Sequence, residues 1–510
     1  MISDLLPNAK TSARFAEPPW PEDSERWREL DEKLPGDHLA REIRAAMTHL
    51  DLAPLYCTYR GLGKAPYRPD LMLAIVFFEL RRGQPKPSQW YRDTHENYAL
   101  WWLGFGIHPS RSSWYEFRHR TGPCLDTLNT TLLHQAVNDG LTTAQRGALD
   151  GSAVAANASR RRLINDERLQ HRLQQLGAVA QDEADGEEIE ALPGWMAKTP
   201  AGRRRQRDRY TQVQDQLAVL QAANEKRPPS QRRAPDKVVV SPGDPEAPLG
   251  LDKEGVYRPL YTVQTVRDVE SPLILAYDVF AQASDAATLP PMRRRSYQLT
   301  GRSLEELLVD CGYVTGMDLA ECAALGVILY GPWKEHDWSQ PKTPALFSKD
   351  RFTWHGDLDA YRCPAGQLLK RSGHHKRECS GGREVVEWTY RGDASTCQTC
   401  PLREQCTTSK KGGRSIQRSE HEDLIIAHRA WMETAEAKAV YRLRGQTIEI
   451  VFADVKEHRG LRRFSGHGLT RVHTEFALEV LLHNLLVVQR SLKQKLNGEA
   501  VNRMTDGIAA

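Results

Sequence analysis

The chain has 510 residues, of which 40% are hydrophobic and 27% are charged, and its formal net charge is +4. This length permits about two to four domains with hydrophobic cores, and so small a net charge does not by itself indicate a partner. No run of about 18 apolar residues occurs, which argues against a transmembrane helix, and the first residues lack a signal-peptide pattern. We therefore expect a cytoplasmic protein with no membrane partner.

The N-terminal part of the chain is predicted to be helical after a flexible lead-in. Residues 1–37 are rich in Pro, Glu and Asp and are predicted to be flexible. From 38 to 140, apolar residues recur at helical spacing, most clearly in a helix that begins at Pro69. A later basic helix has Ser112 or Ser113 as its N-cap. This region is either a helix-turn-helix-like DNA-binding domain or a plain helical bundle.

An acidic residue lies within the next apolar segment. The run G-A-L-D-G-S-A-V is typical of a buried strand and contains Asp150. A buried carboxylate is costly unless it is paired or binds a metal ion, so a functional site is one interpretation. The alternative is an Asp-Gly turn at the end of a strand.

Residues 160–236 are predicted to form an inserted helical-hairpin arm. Leucines at helical spacing indicate a first helix, and Tyr210 and Val213 belong to a second. Arginines are interleaved with both helices, for example at 160–162 and 203–205, and such clusters suit phosphate groups. The arm is predicted to contact DNA or a partner protomer; the alternative is a solvated spacer.

The segments after Lys237 follow an α/β pattern. Two strand-like runs precede a helix at 289–299, and then come the apolar strand L-E-E-L-L-V-D with Asp310, another helix and the strand V-I-L-Y. With the strand of Asp150, this order is that of an RNase H-like fold, a mixed sheet flanked by helices. The first and fourth strands of such a fold are neighbours, so we expect Asp150 and Asp310 to lie side by side.

Five of the nine cysteines lie between residues 363 and 406. Their CxxC spacing, with flanking Gly and Pro, predicts a closed structural Zn²⁺ site in a zinc-ribbon-like insertion. Cys379, His374 or His375 can replace one ligand, and the alternative is a set of free cytosolic thiols. The predicted ligands are Cys363, Cys397, Cys400 and Cys406.

A helical stretch from 441 to 464 combines one acid with many cations. Ile448, Val451, Phe452 and Val455 recur at helical spacing, so one face is predicted to pack on a core. Glu449 and Lys456 are seven residues apart, close to two turns, and project the same way. Arginines flank them on both sides. This pattern suits a metal ion beside phosphates, or an ordinary amphipathic surface helix with ion pairs.

Together these motifs resemble those of a DDE transposase of a bacterial insertion sequence. L-D-G-S-A-V-A-A-N-A-S resembles the first-acid motif of that family, and L-V-D-C-G-Y resembles the second. Tyr441, Arg444, Glu449 and Lys456 fill the places of its Tyr-Arg-Glu-Lys signature, although the Arg-to-Glu interval is one residue longer than usual. A Cys-rich insertion between the second and third acids also occurs in a subgroup. The resemblance extends from about residue 40 to 486.

The resemblance implies an enzyme that binds element ends, cleaves double-stranded DNA and joins the 3′ ends to target DNA. It implies catalytic carboxylates at Asp150, Asp310 and Glu449 that bind two Mg²⁺ or Mn²⁺ ions. It also implies a dimer in the synaptic complex, associated with the bacterial nucleoid. The residues expected to bind DNA phosphates are Tyr441, Arg444, Lys456, Arg459 and Arg463.

The predicted organisation is an RNase H-like α/β domain interrupted by two insertions and preceded by a helical domain that binds terminal inverted repeats. A stand-alone RNase H-like nuclease and a non-catalytic regulator derived from a transposase remain alternatives. A zinc hydrolase is disfavoured because the sequence lacks an H-E-x-x-H motif. The predicted boundaries are 1–37 (lead-in), 38–140 (helical domain), 141–159, 237–344 and 421–495 (catalytic domain), 160–236 (arm), 345–420 (zinc insertion) and 496–510 (flexible tail).

Overall fold

The computed structural model describes residues 13–61, 63–185, 191–333, 347–453 and 459–508, without the side chains of 380, 449–453 and 497–508. The first part of the chain is helical, as predicted. Its helices are α1 (Glu25–Lys33), α2 (Leu39–Ala46), α3 (Ala53–Tyr56), α4 (Pro69–Arg81), α5 (Pro87–Glu96), α6 (Tyr98–Leu103), α7 (Arg111–Thr121) and α8 (Leu125–Asn138).

Part of the predicted flexible lead-in is folded, because α1 lies within residues 1–37. The buried ring of Trp27 stacks on Trp102 and on Phe105, each at 5.7 Å between ring centroids. Its Nε1 donates a hydrogen bond to the carbonyl oxygen of Trp102 at 3.0 Å. Ser24 caps the helix by accepting from the Trp27 backbone N–H. The polar composition concealed this helix, which packs through a few apolar residues, chiefly Trp27.

Polar side chains cap two helices in this region, and one of the caps differs from the prediction. Asn97 separates α5 from α6, and its side chain caps α6 by accepting from Ala99 N at 2.9 Å. The N-cap of α7 is Ser110, which accepts from Ser113 N at 3.2 Å. The prediction of Ser112 or Ser113 was therefore wrong, since a run of similar hydroxyl residues does not by itself define the first helical residue.

The segment after the first strand is a pair of packed helices, α9 (Asp166–Asp185) and α10 (Pro200–Glu225). Leu169 and Leu176 of α9 and Tyr210, Val213 and Leu217 of α10 are buried in a small core of their own. The helical spacing of these residues in the sequence arises from this shared core.

A mixed sheet forms the centre of the molecule. Its strands are β1 (Arg146–Ala155), β2 (Leu249–Leu251), β3 (Tyr257–Asp268), β4 (Ile274–Phe280), β5 (Glu306–Leu308) and β6 (Ile328–Tyr330). β1 pairs with β3 antiparallel and with β5 parallel; β4 pairs with β3, and β6 pairs with β5 in parallel. Helix α11 (Leu289–Thr300) connects β4 to β5, and α12 (Gly316–Ala324) connects β5 to β6. The predicted adjacency of the first and fourth strands is confirmed.

The Cys-rich segment forms a second, antiparallel sheet in the order β11-β10-β9-β8-β7. Its small core contains Phe352, Tyr361, Leu369, Tyr390 and Ile416. Its elements are β7 (Thr353–His355), β8 (Ala360–Arg362), β9 (Leu368–Cys379), β10 (Arg383–Arg391), α13 (Ala394–Gln398), α14 (Arg403–Cys406) and β11 (Ser415–Ser419).

Three helices complete the chain: α15 (Glu422–Met432), α16 (Ala435–Ala453) and α17 (Leu469–Ile508). α17 packs against α2, α8 and β4. Asn484 of α17 bonds both backbone groups of Ile274 in β4, at 2.8 and 2.9 Å. The backbone remains helical to Ile508, which differs from the flexible tail predicted for 496–510.

One continuous hydrophobic cluster joins the N-terminal helices, the mixed sheet and α17. Its members include Ile43 and Phe77 from the helices, Leu149 and Leu307 from the sheet, and Leu481 from α17. Among the residues that the structure describes, no helix is both long enough and apolar enough to cross a membrane.

Candidate active site

Asp150 lies in the middle of β1 with a mostly buried carboxylate. Its Oδ2 is 3.2 Å from Nη2 of Arg444, and its Oδ1 accepts a hydrogen bond from Gly151 N at 2.8 Å. Burial raises the pKa of Asp150, while Arg444 and the Gly151 N–H oppose this rise. Arg444 thus provides the positive charge that makes a buried anion tolerable at this position.

Asp310 lies in the turn that follows β5, beside the strand of Asp150. Its Oδ1 accepts from Gly312 N at 2.6 Å, and its carbonyl oxygen accepts from Tyr313 N at 3.2 Å. The charge of Asp310 raises the pKa of Asp150 further, because the two carboxylates are close. The structure therefore brings the first two predicted acids together, as expected from the strand order.

Helix α16 covers these two acids. Tyr441 and Arg444 are three residues apart and lie on the same side of the helix. Burial raises the pKa of Tyr441, and the charge of Asp310 raises it as well. The helix packs against β1 and β3, Ile448 is fully buried, and the carbonyl oxygen of Thr447 accepts from Arg267 of β3. One face of the predicted helix therefore does pack on the core.

The third predicted acid belongs to the same helix. Glu449 follows Arg444 on α16, but its side chain, like those of Val451 and Phe452, is outside the described residues. Lys456 and Val455 lie entirely outside them. Among the side chains that are described, no group of three or more His, Cys, Asp or Glu residues is arranged to hold a metal ion. The adjacent carboxylates of Asp150 and Asp310 are nevertheless the hard oxygen donors that Mg²⁺ and Mn²⁺ prefer.

Residues 362–488 match a protein family whose description is Transposase DDE domain. Over these residues the chain is similar to a transposase DDE domain. The match covers about a quarter of the sequence, from β8 to the middle of α17. It includes Tyr441, Arg444 and Glu449, whereas Asp150 and Asp310 precede it. Searches of curated proteins and of solved structures returned no match.

Two arginines that follow α16 in the sequence are engaged within the fold. Arg459 is only 3% exposed, and its Nη1 is 3.3 Å from Oε2 and 3.0 Å from the carbonyl oxygen of Glu479. The guanidinium is thus buried in an ion pair with α17, and the phosphate contact of Arg459 stays a prediction. Arg463 is exposed but donates to the carbonyl oxygens of Ala156 and Ala158 at 3.1 and 2.7 Å. It thereby holds the segment that follows β1.

The basic side predicted for α7 is also smaller than expected. Arg118 is buried, and its Nη1 is 3.7 Å from Oε1 of Glu475 in α17. Arg120 pairs with Glu116 at 2.9 Å. Arg111 remains exposed at the start of the helix. A count of cations on a helix therefore overestimates the charge available to a ligand.

The four cysteines predicted as zinc ligands line one small cavity of the Cys-rich domain. The N–H of Gln367 donates to Sγ of Cys363 at 3.3 Å. Burial raises the pKa of the Cys406 thiol, and the other three cysteines add to this rise, which places the four thiols near one another. Among the described residues, these thiols are not spaced closely enough to hold a metal ion. The alternative ligands Cys379, His374 and His375 belong to β9 and do not line the cavity.

Sequence reasoning missed four polar residues that surround the two acids. Asp285, Gln264 and Tyr313 form a hydrogen-bonded group beside them. Lys253, in the turn before β3, lowers the pKa of Asp150 through its charge. Two features of the sequence could have indicated them. Gln264 is a polar residue within an apolar strand, and Tyr313 belongs to the second-acid motif.

Proposed function

We propose that this protein is a DNA transposase that cleaves DNA at element ends and joins the 3′ ends to target DNA. The observation that carries the proposal is the position of Asp150 in β1 and of Asp310 directly after the neighbouring parallel strand β5, beneath α16. That helix lies within the family match and supplies Glu449. The order of the paired strands supports an RNase H-like catalytic domain.

Asp150, Asp310 and Glu449 would hold two Mg²⁺ or Mn²⁺ ions. Such ions, when bound, would activate the attacking oxygen and stabilise the leaving oxygen. The protein's own contribution is to favour the ionised form of Asp150 against the effect of burial on its pKa, through Arg444 and the Gly151 N–H. Arg444 offers a planar fork that also suits a phosphate, and Tyr441 lies beside it. Lys456 is proposed as a further phosphate contact on the basis of its place in the signature.

A groove at the base of the arm supports DNA binding outside the catalytic centre. We name it the arginine groove; its described lining residues include no Asp or Glu. Arg172 is fixed there by a 3.0 Å bond to the hydroxyl of Tyr210 and lies over the ring of Trp195 at 4.8 Å. Such a groove suits a phosphate backbone. Its arginines are Arg161, Arg162, Arg168, Arg172 and Arg209.

A structural Zn²⁺ ion held by Cys363, Cys397, Cys400 and Cys406 remains a proposal. The shared cavity and the N–H···S bond to Cys363 support it, whereas the present spacing of the thiols does not. Metal analysis of the purified protein tests it: about one zinc per chain is expected, with loss in the Cys397→Ser variant. Zinc content well below one per chain would reject it.

Joining of DNA ends separates the transposase from the other candidates. Purified protein incubated with terminal DNA and Mn²⁺ should bind the ends as a dimer, cut them and join a pre-cut 3′ end to a target duplex. Cutting without joining would instead support a stand-alone nuclease, and binding without cutting a regulatory protein. Action on the nucleoid in the bacterial cytoplasm follows from the DNA substrate.

A further inference from the structure

Gln264 is a fully buried polar residue in the central strand β3. Both ends of its side-chain amide are hydrogen-bonded. Its Nε2 donates to Oδ1 of Asp285 at 2.6 Å, and its Oε1 accepts from the hydroxyl of Tyr313 at 2.7 Å. A carboxylate can only accept hydrogen bonds, so Asp285 determines which way the amide of Gln264 is oriented.

Gln264 lies directly opposite Gly151, the residue next to Asp150. A Cβ at Gly151 would be 2.3 Å from Nε2 of Gln264 and 2.3 Å from Oδ1 of Asp285. A side chain at 151 would therefore force Gln264 or Asp285 to shift. Glycine is favoured at 151 by the close approach of this hydrogen-bonded pair rather than by its backbone angles.

Tyr313 connects the same amide to the second acid. It closes the turn of Asp310, because its N–H donates to the Asp310 carbonyl oxygen at 3.2 Å. Its side chain is only 1% exposed, and its hydroxyl bonds Gln264. One amide thus contacts the strand of Asp150 on one side and the turn of Asp310 on the other.

We propose that Gln264, Asp285 and Tyr313 are positioning residues that fix the separation of the Asp150 and Asp310 carboxylates. This inference rests on the proposed function, since it assigns those two carboxylates to a shared divalent ion. Residues that orient metal ligands from outside typically change metal affinity about 10- to 100-fold when they are replaced. We expect an effect of this size on Mn²⁺ binding and none on DNA binding.

The test measures Mn²⁺ affinity of the full-length protein without DNA, by electron paramagnetic resonance of free Mn²⁺. Asp285→Ala and Tyr313→Phe should weaken binding about 10-fold or more. Asp285→Asn should stay close to wild type, because its side-chain oxygen still accepts from Gln264. In cleavage assays, saturating Mn²⁺ should restore most of the activity of Asp285→Ala, and end binding should be unchanged in every variant.

Gly151→Ala provides a second variant that removes no polar group. It should reproduce the loss of Mn²⁺ affinity, because its Cβ would displace Gln264 or Asp285. If Asp285→Asn bound Mn²⁺ as weakly as Asp285→Ala, Asp285 would act through its charge and the positioning role would be overturned. Wild-type affinity in Asp285→Ala and Tyr313→Phe, with loss in Asp150→Ala, would also overturn it while leaving the proposed function intact.

Discussion

Buried carboxylates illustrate how single residues set the electrostatics of this molecule. Asp150 is offset by Arg444 and a backbone N–H, as expected of a carboxylate that must remain ionised. Glu79 of α4 is fully buried, and its Oε1 is 3.1 Å from Nη1 of Arg82. Burial and the neighbouring Asp93 carboxylate raise the pKa of Glu79 to about 8. Glu79 is therefore protonated in the folded state at neutral pH.

Glu79→Gln tests this protonation through stability. The contribution of Glu79 to the free energy of unfolding is fully present below its pKa in the unfolded chain. This contribution is lost as pH rises through its pKa of about 8 in the folded protein. The glutamine cannot ionise, so the variant should gain about 1.4 kcal/mol in free energy of unfolding relative to wild type per pH unit between about pH 5 and 7. Chemical denaturation across this range measures the gain; a difference that does not change with pH would contradict the assignment.

The placement of single residues was predictable where a local motif defines it. Asp150 and Asp310 were identified because an acid in an apolar strand has few structural explanations. The ion pair of Arg459 could not be predicted because the sequence does not show that Glu479, on another helix, will contact it. Gln264, Asp285 and Tyr313 were missed because the hydrogen bonds that define their role join three separate segments.

At the scale of elements, α16 and the arm show what periodicity can and cannot reveal. The apolar spacing of α16 predicted that one face packs on the core, which the burial of Ile448 confirms. The arm helices were predicted from their leucines, which lie in a core of their own. The side of the arm that faces the rest of the molecule could not be predicted, and that side forms the arginine groove.

Replacing Arg161, Arg162 and Arg168 together by Ala tests the groove. Each lost phosphate contact should reduce the slope of log affinity against log salt by about 0.9, so the slope should fall by about 3. Titration of terminal duplex DNA at several salt concentrations measures it. Arg204, Arg205 and Arg207 are exposed on α10 outside the groove, and their triple Ala variant removes the same charge as a control. Equal slopes for the two variants would count against a specific groove.

At the scale of the whole molecule, the N-terminal helices and the catalytic sheet share one core. Sequence reasoning divided them at residue 140 because the pattern changes there from helical to strand-like spacing. The shared core depends on α17, which packs against both regions, and such long-range packing has no local signature. The Cys-rich and arm segments, with small separate cores, were recognised as insertions because their composition differs from that of the surrounding chain.

The central claim is that Asp150, Asp310 and Glu449 form one catalytic centre for DNA cleavage. Single-turnover cleavage of terminal DNA with Mn²⁺, by Asp150→Asn, Asp310→Asn and Glu449→Gln, tests it most directly. The matched control is Glu305→Gln. Glu305 is an exposed acid beside β5 that accepts a hydrogen bond from the side chain of Gln145. The cleavage rate of each of the three variants should fall more than about 100-fold, because replacing residues that merely orient metal ligands already lowers activity about 10- to 100-fold. DNA-end binding by the variants and the activity of the control should be unchanged. Cleavage at the wild-type rate by any of the three would contradict the account.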